Sequence, residues 1–300
     1  MKLIDSFLFF NELDLLELRL KYLDDVVDYF VITEARISFN GQKKALFYND
    51  NKDRFKNFHH KIIHIIVENI PNNFEHFKKP DSRYTDYHRS YPHKHNGKKL
   101  ISLDKQFQRE VYLKDYQIIG LNKIANNNDI IILGDLDEIP NKKILKKIIQ
   151  ENSLKINEHY TLCLKWYMYY FNVKIFKDWF GIRICRFSYL SDKSIDLLRY
   201  PLEERNKQNS KIIDNGGWHF SFFGGEKVVR EKLYASNFQA RRFNFFLRIL
   251  NLIFKNRIKH KIDKNLDVLE MGRKFEKINY ENEFPKELLD NIKNYKYMFK

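Results

Sequence analysis

Residues 130–140 read IIILGDLDEIP, an apolar run and a glycine followed by Asp135, Leu136, Asp137 and Glu138. The run reads as a buried strand that empties into acids. Alternate side chains of an extended segment point the same way. Asp135 and Asp137 can therefore converge on one hard cation, which wants oxygen ligands and keeps positions open for substrate phosphates. The plainer reading is a strand end capped by acids that solvate themselves, because DxD alone is common. Glu138 and Pro140 stop the strand, and Glu138 is read as structural or as a support behind the ligating acids.

Working outward, the flanking sequence alternates. Leu3–Phe10 reads as a buried strand, and Leu13–Leu23 as an amphipathic helix with Leu13, Leu16, Leu20 and Leu23 on one face. Val26–Thr33 and Lys61–Val67 read as further strands, and Gln106–Ala125 as a helix. The alternation predicts an α/β fold with a mainly parallel central sheet flanked by helices. Ligands in such sheets bind beyond the carboxyl ends of the strands. That rim contains Asn11 and Glu12, Glu34 to Arg36, and Asp135 to Glu138. The polar stretch Asn69–Lys99 is long for a connection and reads as a binding loop or lid. Thr161–Phe187 is rich in aromatic residues and strand-like, and the chain beyond Gly225 turns helical and basic.

Each rim residue has a plain reading beside the functional one. Asn11 sits at a strand-to-helix turn, where it could hold a ligand edge or simply cap the helix. Glu34 could take ribose hydroxyls, or pair with Arg36 or Arg54. Arg109, in QFQRE at Gln106–Glu110, could reach a phosphate or stack on a base, or be an ordinary surface arginine. His219 lies in GGWHFSFFGG at Gly216–Gly225. There it could pack among aromatics or complete a metal shell, since imidazole suits manganese. No phosphate-binding P-loop, dinucleotide GxGxxG, GxSxG or HExxH pattern occurs.

The 300 residues carry 54 Lys and Arg against 39 Asp and Glu, a formal charge of +15. Such a surface attracts phosphates, nucleic acid or anionic lipid. The basic residues are dispersed and match no nucleic-acid module, so nucleic acid is not expected as a partner. Cys163 and Cys185 are too few for a disulfide framework and read as buried thiols. No apolar run reaches the ~18 residues of a membrane span, and the opening MKLIDSFLFFNELD is a poor signal peptide. A cytoplasmic protein is expected. Arg241–Lys261 predicts a basic amphipathic helix that either contacts an anionic membrane surface peripherally or packs on the domain. A metal-dependent phosphoester hydrolase would also use strand-end acids, but it needs a larger acid and His cluster than is grouped here.

Taken in order, FFNELDLLELRL, VITEA, QFQRE, GDLDEIP and GGWHFS resemble glycosyltransferase family 17 over roughly residues 3–240. The resemblance implies a GT-A-like fold and a nucleotide-sugar donor, UDP-GlcNAc in the characterised enzyme. It implies inversion at the anomeric carbon, and a divalent metal, manganese with magnesium the alternative. Asp135 and Asp137 match the family's metal-binding acids. Residues 1–230 would form the catalytic domain and residues 231–300 a helical basic extension. We therefore expect a metal site of Asp135, Asp137 and His219, and a donor site of Asn11, Glu34, Arg109 and Asp135. Asp137 would be catalytic, with Asp214 the base and Asp178 the runner-up. Trp166 to Tyr170, Trp179 and Trp218 could stack on sugar faces, although most of the first group should be core. The acceptor would be a glycan or glycolipid. KLYASNFQ at Lys232–Gln239 departs from the family pattern, which leads one to expect a His there.

Overall fold

The computed structural model describes residues 1–70, 105–191, 193–199, 210–235, 258–269 and 271–300. Nearly all of the Asn69–Lys99 stretch and most of Arg241–Lys261 lie outside these. In chain order the main elements are β1 (Leu3–Phe9), α1 (Leu13–Leu23), β2 (Tyr29–Ala35), α2 (Phe47–Asp50), β3 (Ile62–Val67), α3 (Lys105–Ile124), β4 (Ile130–Asp135) and β5 (Glu138–Pro140). Then come α4 (Lys142–Glu151), β6 (His159–Met168), β7 (Val173–Trp179), β8 (Arg183–Arg186), α5 (Ile195–Arg199), β9 (Ser210–Ser221), α6 (Gly225–Ala235), β10 (Phe275–Lys277) and α7 (Lys286–Ile292).

The fold is α/β, built on one ten-stranded sheet. Strands β3, β2, β1 and β4 are parallel neighbours, as the alternating sequence predicts. The expectation of a mainly parallel sheet fails beyond β4. There β8, β6, β7 and β10 follow, each antiparallel to its predecessor. The cause is short connections. Only residues 169–172 join β6 to β7, and after residues 180–182 the chain continues along β6 as β8 in the direction of β7. A parallel neighbour needs a crossover of a dozen residues or more. β9 lies parallel to β6 and antiparallel to the short β5.

The sheet is covered on both faces. The apolar side of α1 joins the larger core through Leu15, Leu16, Leu20 and Leu23, with Leu288 and Ile292 of α7 in the same cluster. α3 covers a second cluster formed by Val31, Ile65, Ile118 and Leu121. It sits so close that a Cβ on Gly120 would fall 2.4 Å from Val31 Cγ1. The described part of residues 231–300 is not all helix. It adds β10 to the sheet edge and sends Phe284, Ile292 and Met298 into the main core. No helix among the described residues is long and apolar enough to cross a membrane.

His159, at the start of β6, gives the core a pH dependence. It is fully buried, with Nδ1 3.2 Å from the Tyr189 hydroxyl. Burial, then the charges of Arg183 and Lys193, push it down to about 4 from the ordinary 6.5. Between those values the unfolded chain binds the proton and the folded one does not, so stability rises with pH. Its contribution is complete above the ordinary value and is lost as pH falls toward about 4, a change of roughly 3 kcal/mol. Denaturant midpoints measured across this range should fall with acid, and the slope should be shallower in His159→Gln. Equal slopes would contradict the assignment.

Candidate active site

Register places the acids at one end of the parallel strands. Leu8 lies opposite Asp135 and Phe9 opposite Glu34, so Glu34 and Asp135 share the carboxyl rim. A cleft of about 510 Å³ opens there. Its lining includes Phe10 and Glu12 after β1, Asp135 to Asp137 at the end of β4, Trp166, Trp179, His219 and Lys232.

The turn from Asp135 to Glu138 is held from beneath. Arg19 of α1, fully buried, pairs with Asp5 through two contacts of 2.8 and 2.7 Å. Its Nη1 also donates to the carbonyls of Asp135 at 2.8 Å and Leu136 at 3.1 Å, and to that of Glu138. One guanidinium thus donates to three carbonyls of the turn. Glu138 is structural, as the sequence reading has it. It accepts from the Asp135 amide at 2.9 Å, Arg199 Nη2 at 2.8 Å and Trp179 Nε1 at 2.6 Å. Gly181 keeps this contact open, because a Cβ there would meet Glu138 Oε1 at 1.9 Å.

Asp135 turns its Oδ1 to Arg199 Nη1 at 2.6 Å. Burial opposes its charge, but Arg199 and then Lys114 hold the carboxyl well below the usual carboxylate range. Asp137 places Oδ2 2.6 Å from Lys232 Nζ and Oδ1 3.6 Å from His219 Nε2. There too burial is overcome, by Lys232 and then His219, and the carboxyl titrates far below its usual range. His219 arrives through the β5–β9 pairing, which sets it opposite Glu138. Its ring stacks on Trp166 at 5.5 Å, lies 4.5 Å from Trp179, and has Nε2 2.9 Å from Ser221 Oγ. Nδ1 is buried with no partner among the described residues. His219 therefore packs among aromatics, as one of its readings has it, and lies beside Asp137.

The expected donor residues are not all on the cleft. Glu34 is fully buried. Its oxygens accept from the Tyr48 and Asn49 amides at 3.0 and 3.3 Å, and from His64 at 3.1 Å. It caps α2 and pairs with His64 rather than with Arg36 or Arg54, and it does not line the cleft. Arg109 donates to the Phe39 carbonyl at 3.1 Å and does not line the cleft either. Asn11 gives its Nδ2 to Glu231 at 2.6 Å, leaving Oδ1 buried and unpaired among the described residues. It makes no side-chain cap to α1. Asp214 and Asp178 are exposed and off the cleft. Asp214 precedes His219 by roughly 16 Å of strand. Both acids adjoin Cys163, whose thiol burial and then these acids push up to about 11. Trp166 and Trp179 line the cleft, whereas Trp218 packs on Tyr22 and Phe284, and Tyr167 to Tyr169 are core.

The expected cation site can be tested against these contacts. Among the described residues no three of His, Cys, Asp and Glu meet within reach of one ion. Asp137 and His219 approach each other, but Asp135 is tied to Arg199, and the other oxygen of Asp137 to Lys232. The arrangement does not fit a three-ligand site of Asp135, Asp137 and His219. Arg19, Arg199 and Lys232 were missed by the sequence reading. Only Arg19 carried a signal, a lone cation on the apolar stripe between Leu16 and Leu23.

Acids on a strand-end rim, with aromatic walls and fixed cations beside them, lie where sheets of this kind bind their ligands. The family model described as Glycosyltransferase family 17 matches residues 1–300. The chain belongs to that family and is a glycosyltransferase of the N-acetylglucosaminyltransferase-like kind. No curated protein matches it.

Proposed function

We propose that the protein transfers GlcNAc from UDP-GlcNAc to a hydroxyl of a glycan or glycolipid, with inversion. The observation that carries this reading is the Asp135–Asp137 turn, which opens at the carboxyl end of β4 onto a cleft walled by Trp166 and Trp179. In the reaction the bond from the anomeric carbon to the diphosphate oxygen breaks, and its electron pair stays with the diphosphate. The acceptor oxygen bonds to the anomeric carbon from the opposite face. Its proton passes to a carboxylate of the cleft wall, which Asp214 and Asp178 do not line. Indole faces suit the apolar faces of sugar rings. Asp137 orients Lys232 and His219 beside the leaving group. Positive charge there matters most in the transition state, when the diphosphate takes on its extra negative charge.

The test is a thermal-melting panel of nucleotide sugars. A ligand that binds only the folded state raises its stability. UDP-GlcNAc should raise the melting temperature more than GDP-, ADP- or CMP-sugars do. A panel in which no nucleotide sugar shifts the melt would refute the reading.

A further inference from the structure

We propose that the ammonium of Lys232, and not a divalent cation, is the charge that receives the leaving diphosphate in this cleft. The inference rests on the proposed glycosyl transfer and assigns a residue to its hardest electrostatic task.

Three observations point to Lys232. The first is its position. Nζ lies 2.6 Å from Asp137 and 2.8 Å from Glu12, so it bridges the turns that follow β4 and β1. A metal taking both oxygens of Asp137 would have to displace it. The second is its capacity. An ammonium has three donors, the two carboxylates take two, and the side chain remains 27% exposed on the cleft lining. One donor is left for a phosphate oxygen. The third is its anchorage. On the same helix Glu231 accepts from Asn11 at 2.6 Å and the Tyr234 carbonyl accepts from Asn40 at 2.6 Å. These clasps fix α6 against the amino-terminal rim on either side of Lys232. A charge held in place before the reaction needs no reorganisation during it.

Lys44, Lys114 and Arg273 line the cleft with Lys232. The cleft therefore carries its own cations. As the sugar–oxygen bond breaks, Lys232 donates a hydrogen bond to the departing diphosphate oxygen and keeps its proton. Asp137 and Glu12 hold the ammonium in position.

The experiment measures binding of UDP and of inorganic pyrophosphate by calorimetry, in excess chelator and then with manganese. The proteins are the wild type, Lys232→Ala, Lys232→Arg and Glu12→Gln. The wild type should bind both ligands in chelator. Lys232→Ala should lose about tenfold or more in affinity, and manganese should restore it, because Glu12 and Asp137 then face one position with no ammonium between them. Lys232→Arg should keep most of the affinity. Glu12→Gln should bind several-fold tighter, since it removes a carboxylate that competes for the ammonium. This last variant preserves the test if Lys232→Ala fails to fold.

Wild-type binding that requires manganese would overturn the proposal and leave the glycosyl-transfer reading standing. So would Lys232→Ala binding as well as wild type in chelator, or Glu12→Gln leaving affinity unchanged. Absence of binding under every condition would overturn it as well, and the melting panel would then say separately whether a nucleotide sugar binds at all.

Discussion

Asp137→Asn should cut sugar transfer on the order of a hundredfold or more, the scale of losing one preorganised electrostatic element. Asparagine keeps the shape and removes the charge. Lys232 would then be held by Glu12 alone, and His219 would face a neutral amide in place of a carboxylate. Asp135→Asn should be milder, because Arg199 keeps Glu138 as a second anchor at 2.8 Å. The sequence alone suggests that both acids lie at an open rim and that neither change affects stability. The open-rim placement agrees with the exposure of Asp135, whose side chain is 39% exposed, but not with that of Asp137, at 8%. Asp137→Asn should therefore also cost about 1–3 kcal/mol of folding stability. Turnover and melting measured on both variants decide the matter. Full turnover in Asp137→Asn would remove this acid from the mechanism.

Arg19→Met should be the most destabilising of these substitutions. Arg19 and Asp5 are both fully buried, so removing the guanidinium leaves a bare carboxylate in the core. Breaking such a pair costs about 3–5 kcal/mol. The carbonyls of Asp135, Leu136 and Glu138 lose their donor at the same time. Against a total stability of about 5–15 kcal/mol, this is a large fraction. The double variant Asp5→Asn with Arg19→Met should recover part of the loss, because the unpaired charge is gone. Denaturant unfolding of the single and double variants tests this. A loss below about 1 kcal/mol in Arg19→Met would show that the pair does not hold the turn.

The amino-terminal half was legible because burial there is one-dimensional. Apolar runs ending in acids or turn residues mark β1, β3 and β4 to within a residue or two, and the leucine spacing gives α1 outright. β2 runs Tyr29–Ala35 where Val26–Thr33 was expected, because Val26 and Val27 look like strand residues but belong to the turn after α1. The antiparallel half was not legible in direction. An aromatic-rich strand reads the same whichever way its neighbour runs, and only the short connections decide.

The site shows the same division. Asp135 and Asp137 could be read locally, since a strand and its end suffice to place them. His219 depended on β5 pairing with β9, which its own segment does not encode. Glu34 was read correctly as a rim residue and incorrectly as accessible, because the amides of α2 close over it. Lys232 and Arg199 are ordinary cations in sequence. Their roles come from long side chains reaching across tertiary contacts, and periodicity holds no trace of that.

The most direct test of the account follows the fate of the nucleotide. The protein is incubated with UDP-GlcNAc and a mixture of glycan and glycolipid acceptors, and the products are separated by phosphorus NMR. Glycosyl transfer breaks the bond between the sugar and the diphosphate, so the account predicts UDP from the wild type and little from Asp137→Asn. A phosphoester hydrolase would break the bond within the diphosphate and release UMP with sugar 1-phosphate. UMP as the product, or equal UDP from both proteins, would contradict the account.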